Sequence, residues 1–212
     1  MRFPRLPIVL LACFAAMPET PLAGPLRAQG AFVRSGRIVP LADAAARLDR
    51  INLPRPPDWD AEGNAATWTI DDIRLEFARA TDTPPQINFV QTSFLRPSQA
   101  WMNSYRDWYL KLEKPLGMQF VESLWDCDDY ASCFVTFADL LALRAGETRA
   151  PFCIGWASVY NRRAFAGVEP GGMHAVVIIG TAEGFFVIEP QNGTLVPLRR
   201  YPNRDTIDAV YF

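Results

Sequence analysis

Hydrophobic residues recur every three or four positions in three stretches of the middle of the chain, which is the spacing of one face of an α-helix. The stretches are Thr69–Ala80, Ser98–Leu112 and Asp126–Ala145. Thr69, which two acidic residues follow closely, is a typical N-cap, and Pro84-Pro85 and Gly146 are stop signals. The pattern therefore predicts three helices, each with one buried face.

In the last third of the chain the pattern changes to short apolar runs bounded by Gly, Pro and Asn, which predict strands. The runs are Phe152–Tyr160, Met173–Gly180, Gly184–Ile188 and Ala209–Phe212, and Asn88–Phe94 is strand-like or a loop. Thr181–Gly184 is short enough for a tight hairpin, so the sheet is antiparallel there. A helix over Asp126–Ala145 followed by such strands predicts an α+β fold with that helix packed on an antiparallel sheet.

The first residues have the pattern of an export signal. Arg2 and Arg5 precede the apolar run Leu6–Met17, which is shorter than the ~20 residues needed to span a bilayer. We therefore expect residues 1–28 to be a signal peptide, with a short buried helix as the alternative.

Two kinds of export signal fit this segment. Leu10–Cys13 resembles the lipobox of bacterial lipoproteins, in which the cysteine after Leu-x-Ala is lipid-modified, so Cys13 is a candidate membrane anchor. Cleavage near Ala23 or Ala28 would instead release a soluble product. Either way we expect an exported protein, periplasmic or extracellular.

Residues 29–87 carry no recognisable chemistry. They contain one candidate helix, Leu41–Leu48, and a proline-rich stretch, Leu53–Pro57, that is typical of an extended linker. Their role is open between a propeptide, a lid and a part of the core.

The composition is that of a globular protein and excludes a nucleic-acid partner. The 212 residues are 50% hydrophobic and 21% charged, with a formal net charge of −2. A chain without basic excess lacks the electrostatic footprint of nucleic-acid binding. A chain of this size also needs no disulfide or metal to be stable, so its cysteines require another explanation.

Cys127 is the cysteine that stands out among the four, which are Cys13, Cys127, Cys133 and Cys153. Without Cys13 of the signal the number is odd, so at least one thiol is free or pairs with another chain. Cys127 begins the predicted helix after the N-cap candidate Asp126, where the helix dipole stabilises a thiolate. Asp128 and Asp129 oppose this effect, so a nucleophilic Cys127 also needs a cationic imidazole partner.

His174, the single histidine, begins an apolar strand. On residue type alone it would be a structural histidine. However, a hairpin centred near Ala182 and Glu183 brings Glu189 close to it. Glu189 ends an apolar run where a carboxylate needs a partner, and an imidazole would provide one. The order Cys127, His174, Glu189 is that of a nucleophile, a base and an orienting acid.

These residues resemble those of the papain-like and transglutaminase-like cysteine hydrolases. The motifs are Cys-Asp-Asp-Tyr-Ala at Cys127–Ala131, His-Ala-Val-Val at His174–Val177 and Ile-Glu-Pro-Gln at Ile188–Gln191. They are similar to bacterial transglutaminase-like cysteine proteinases, whose third residue is Asp, and to the cysteine-protease domain of fungal chimeric lectins, which has a Cys-His-Glu triad. The likeness covers about residues 88–212 and implies a papain or transglutaminase-like hydrolase domain there.

The resemblance implies a role for each site residue. Cys127 would be the nucleophile, His174 the general base and acid, and Glu189 the residue that orients the imidazole. The Cys127 N–H is one oxyanion donor, and Gln119 would be the other, with an ordinary loop glutamine as the alternative. The implied function is cleavage of peptide or isopeptide amide bonds in a protein or peptide substrate. No cofactor is required, although the lectin-linked proteases are calcium-dependent, with Asp128 and Asp129 as candidate Ca²⁺ ligands here.

Four alternatives remain beside this hypothesis. Zinc could be bound by a Cys₃His set, but the spacing lacks the usual Cys-x₂₋₄-Cys knuckle. A disulfide between Cys133 and Cys153 would leave Cys127 free, whereas one that includes Cys127 would abolish catalysis. Acyl transfer to an amine, as in transglutaminases, needs the same three residues. The scaffold could also be a surface lipoprotein or binding module with an idle site.

Overall fold

The structure is a computed structural model, and it describes residues 31–34, 37–40, 56–58, 66–121, 126–144 and 150–212. The predicted signal with Cys13 and the predicted helix at Leu41–Leu48 lie outside the described residues. Two compact units divide the chain, one up to Leu53 and one from Pro54 onward. In the first, β1 (Ala31–Arg34) pairs antiparallel with β2 (Arg37–Pro40). None of the described helices has the length and apolar character to cross a membrane.

The second unit contains three helices and eight strands within its described residues. In chain order these are β3 Thr67–Thr69, α1 Ile70–Ala80, β4 Gln86–Asn88, β5 Ser93–Leu95, α2 Gln99–Leu116, α3 Cys127–Arg144, β6 Ile154–Tyr160, β7 Met173–Thr181, β8 Gly184–Ile188, β9 Leu195–Pro197 and β10 Ile207–Tyr211. Two 3₁₀-helices, Leu198–Arg200 and Arg204–Thr206, lie between β9 and β10.

The main sheet has six strands in the order β4-β10-β6-β7-β8-β9. Its neighbours are antiparallel except for β10 and β4, which are parallel. Helix α3 packs against β6 and β7. The predicted α+β class is therefore confirmed, although the parallel edge strand β4 was not expected.

Helix α1 begins where the sequence predicts, because a capping box fixes its first turn. The Thr69 hydroxyl accepts a hydrogen bond from the Asp72 N–H, and the Asp72 carboxylate accepts one from the Thr69 N–H. The helix buries Ile73 and Phe77 in the same core as the strands of the main sheet. The core of the second unit therefore includes residues before residue 88, which is where the sequence analysis begins the hydrolase domain.

The hairpin between β7 and β8 has the predicted centre. Thr181 pairs with Gly184, so Ala182 and Glu183 form the loop. Gly184 has φ +116°, a conformation that favours glycine. Because the pairing continues to Ile188 opposite Val177, Glu189 emerges beside the first residues of β7.

Helix α2 fixes α3 through two tyrosine hydroxyls. Tyr105 Oη donates to the Phe134 carbonyl, and Tyr109 Oη donates to the Tyr130 carbonyl. Both tyrosines are fully buried, and the Trp101 ring stacks on Tyr105. The aromatic stripe of α2 thus belongs to the core and holds the helix that begins with Cys127.

Replacement of Asp139 by asparagine is expected to stabilise the fold at neutral pH. Asp139 on α3 accepts a hydrogen bond from the Phe152 N–H at 3.3 Å, and burial raises the pKa of its carboxyl to about 6. The folded state therefore favours the neutral carboxylic acid. The negative charge of Asp139 lowers the stability of the fold above pH 6, and below pH 4 this cost is absent because the carboxyl is protonated. The Asp139→Asn side chain would keep the acceptor without the charge, which should add about 1–2 kcal/mol at pH 7.5.

Urea unfolding at pH 7.5 and pH 4 tests this expectation. Asp208→Asn serves as the control, because Asp208 is exposed on β10. A gain from Asp139→Asn that persists at pH 4, or no gain at pH 7.5, would contradict the assignment.

Candidate active site

Cys127 occupies the first position of α3, with Asp126 as the residue before it. The Asp126 N–H donates to Asp129 Oδ2 at 3.1 Å, which is one half of a capping box and fits the predicted N-cap. Cys127 is a half-buried free thiol. Its N–H is one of the first four of the helix, which have no intrahelical acceptor, and so it is available to a bound oxyanion.

His174 and Glu189 form a buried pair. His174 Nε2 lies 2.6 Å from Glu189 Oε2, and the two side chains are 6% and 0% exposed. The second carboxylate oxygen, Oε1, accepts a hydrogen bond from the Gln191 N–H at 3.2 Å. A buried carboxylate held in this way fixes the orientation of the imidazole ring.

The His174 ring also hydrogen bonds with the Cys127 side chain. Because Glu189 engages Nε2, the nitrogen left for the sulfur is Nδ1. The structure therefore brings together Cys127, His174 and Glu189, which the sequence places 47 residues and 15 residues apart.

This environment favours the charged imidazole. Burial alone lowers the pKa of His174, but the hydrogen bonds to Cys127 and Glu189 and their negative charges outweigh it and raise the pKa to about 9. The ring is therefore an imidazolium at neutral pH, and it lies beside the Cys127 side chain and the Glu189 carboxylate.

The acidic residues beside Cys127 partly neutralise each other. A hydrogen bond to Asp126, together with burial, raises the pKa of Asp128 to about 6. At pH 6 the Asp128 carboxyl is therefore protonated in about half of the molecules, which lowers the negative charge close to the sulfur. Asp129 lies apart from this pair, with its carboxylate on the Asp126 N–H.

Within the described residues, one group of side chains has atoms close enough to share a metal ion, namely Asp126, Cys127 and Asp128. It supplies two carboxylates and a sulfur, which does not fit a Ca²⁺ site of six to eight oxygens. Asp129, the second candidate ligand, is not in this group. Calcium binding stays an expectation from the resemblance. The four residues of the zinc alternative, Cys127, Cys133, Cys153 and His174, do not form a shared metal site among the described residues.

Cys133 and Cys153 are buried, and neither forms a disulfide with the other or with Cys127. Burial raises the pKa of the Cys153 thiol far above its usual range, which makes this cysteine unreactive.

Gln119 is exposed in the segment that follows α2. Residues 122–125, which join this segment to Cys127, lie outside the described residues. The role of Gln119 as an oxyanion donor therefore stays a prediction.

The sequence analysis missed a set of buried polar residues close to the pair of His174 and Glu189. Asn161 and Asn203 are 1% and 2% exposed. Tyr201 is also buried, and burial is the main cause of its raised pKa. The charge of the Glu189 carboxylate contributes to the same shift, so Tyr201 lies close to Glu189. Single asparagines in loops have no pattern that predicts burial, so no sequence signal was available.

No protein-family model and no curated protein matches the chain. Solved structures of similar fold include one described as the PSL1a–E64 complex, with 15% identity and a TM-score of 0.52 over 69% of this chain and 50% of that one. Another is the Polyporus squamosus lectin bound to a human-type influenza-binding epitope, with 15% identity and a TM-score of 0.49 over 69% of this chain and 49% of that one. The chain thus spans half or slightly less of the solved chains it resembles.

Proposed function

We propose that this protein is a cysteine hydrolase of papain or transglutaminase-like fold that cleaves peptide or isopeptide amide bonds through a thioester at Cys127. The observation that carries the proposal is the position of the His174 ring, whose Nε2 lies 2.6 Å from Glu189 Oε2 and which is close enough to the Cys127 side chain for that side chain to raise its pKa. A helix-start thiol, an imidazole and a buried carboxylate in this order are the parts that acyl transfer needs.

The reaction proceeds in two halves. The Cys127 sulfur attacks the carbonyl carbon, and the Cys127 N–H donates to the oxyanion. The C–N bond breaks as the His174 imidazolium gives a proton to the leaving amine, which leaves a thioester. His174 then takes a proton from water, whose oxygen attacks the thioester and releases the acid and the thiolate.

Transfer to an amine shares the first half of this reaction and differs in the second nucleophile. Addition of a primary amine to the assay separates the two, because transfer gives an amide product in place of the acid. The predicted export is a further part of the proposal, with either a lipid anchor at Cys13 or release as a soluble product, and with a protein or peptide outside the cytoplasm as the substrate.

The structural similarity supports the fold part of this proposal. One similar structure is a complex with E64, an epoxide reagent that alkylates catalytic thiols, and the same reagent suits Cys127. A binding module with an idle site is the competing outcome of the test.

Selective alkylation of Cys127 at pH 6.5 tests the proposed function. We expect E64 or iodoacetamide to modify Cys127 up to about 100-fold faster than an ordinary thiol of pKa ~8.5, of which only about 1% is thiolate at this pH. Peptide mass spectrometry, with and without calcium, locates the adduct and shows any metal requirement. Cys133 and Cys153 are internal controls, because both are buried. Equal slow labelling of all three would support the idle site.

A further inference from the structure

The loop between β6 and β7, residues 161–172, leads into the strand that carries His174. At its base the Asn161 N–H donates to the Gly172 carbonyl at 2.9 Å, and the Gly171 N–H donates to the Asn161 carbonyl at 2.8 Å. These bonds close the loop two residues before His174. The start of β7 therefore depends on where Asn161 is held.

Asn203 holds this loop from the other side. Its Oδ1 accepts hydrogen bonds from the N–H groups of Arg162 at 3.0 Å and Arg163 at 2.8 Å. Its Nδ2 donates to Asn161 Oδ1 at 3.2 Å and to the Arg163 carbonyl at 2.8 Å. The carboxamide thus uses both lone pairs and both N–H groups on one segment of three residues.

A local role does not account for this side chain. Asn203 is the N-cap residue of the 3₁₀-helix Arg204–Thr206, where asparagine usually caps the first turn with its side chain. It makes no such bond. Instead the side chain is buried, 2% exposed, and directed at the loop before His174.

Two further contacts connect the same loop to the residues that follow Glu189 in the chain. Asn192, three residues after Glu189, donates from Nδ2 to the Ala166 carbonyl at 2.6 Å. The Phe165 ring packs edge-on against Tyr201, with centroids 4.9 Å apart. The loop that precedes His174 is therefore tied to the turn that follows its carboxylate partner.

We propose that Asn203 is a positioning residue, which fixes the β6–β7 loop and so holds the His174 ring between Cys127 and Glu189. This inference rests on the proposed function for its catalytic meaning. Asn203 acts through the loop and has no contact with the three site residues among its hydrogen bonds.

The test is an NMR titration of the imidazole in the full chain, which contains one histidine and so gives one signal. Asn203→Ala leaves the two N–H groups of the loop unbonded, and the ring should move away from its partners. Cys127 on α3 and Glu189 after β8 are the titratable groups that face the ring. We expect the pKa of His174 to fall by about one unit or more, with about a tenfold slower alkylation of Cys127 at pH 6.5.

Asn88→Ala is the matched control. Asn88 is half-buried on the edge strand β4 and donates from Nδ2 to the Val210 carbonyl. The Asn88→Ala variant therefore loses an asparagine hydrogen bond that lies away from the β6–β7 loop. The pKa of His174 should stay as in the wild type. If Asn203→Ala does not fold, Asn192→Ala removes one bond to the loop from an exposed position, with a smaller shift in the same direction.

A folded Asn203→Ala protein whose His174 titrates like the wild type would overturn the inference, and so would an equal shift in Asn88→Ala. The proposed function fails in a different way, when the wild type neither labels at Cys127 nor cleaves amides. In that case the titration still decides whether Asn203 positions the ring.

Discussion

Replacement of Cys127 by alanine is expected to abolish amide cleavage, with a loss of at least about 10⁴-fold in kcat/KM. The thioester cannot form without the sulfur, and the residual rate would come from substrate binding and the oxyanion donor alone. A library of fluorogenic peptide amides identifies a cleaved substrate for the wild type, and initial rates on that substrate measure the loss.

Cys133→Ala controls for loss of a thiol in the same helix. Cys133 is buried at 4% exposure and forms no disulfide, so this change should lower stability slightly while cleavage continues. Unchanged hydrolysis by a folded Cys127→Ala protein would refute the mechanism. Retained cleavage in Cys127→Ser at a much lower rate would agree with a nucleophile at this position.

Replacement of Glu189 by glutamine is expected to lower the pKa of His174 and to slow cleavage at pH 7 by about 10²–10⁴-fold. Glutamine is isosteric, but it removes the negative charge that lies 2.6 Å from Nε2. The imidazolium loses its buried acidic partner, so the pKa of the ring moves from about 9 toward its ordinary 6.5. The NMR titration of the single histidine measures this shift directly.

The same variant has a defined effect on stability. A histidine whose pKa is raised on folding contributes stability that is complete below pH 6.5 and is lost as pH rises through 9. The raised pKa of about 9 corresponds to a contribution of about 2–3 kcal/mol. We expect Glu189→Gln to lower the free energy of unfolding most at pH 6 and least above pH 9. A deficit that is the same at both pH values would mean that the carboxylate has only a packing role.

Local sequence signals were sufficient for the helix starts and the hairpin. The Thr69 cap, the Asp126 cap and the turn at Ala182–Glu183 each depend on residues within a few positions of one another. Because the hairpin register follows from its turn, the proximity of His174 and Glu189 was predictable as well.

Long-range contacts were not predictable in the same way. The parallel pairing of β4 with β10 joins Gln86 to Ala209, and nothing in either short strand specifies the other. Asn203 bonds to residues about 40 positions earlier, and its sequence context predicts only a cap. Buried amides of this kind become visible when the fold supplies their partners.

The two tyrosine bonds from α2 to α3 determine which half of the site is rigid. They engage the carbonyls of Tyr130 and Phe134, one and two helical turns from the sulfur, so α3 cannot turn about its axis without breaking both. The sulfur is therefore fixed relative to α2, and turnover depends on how closely the β6–β7 loop holds the imidazole ring beside it.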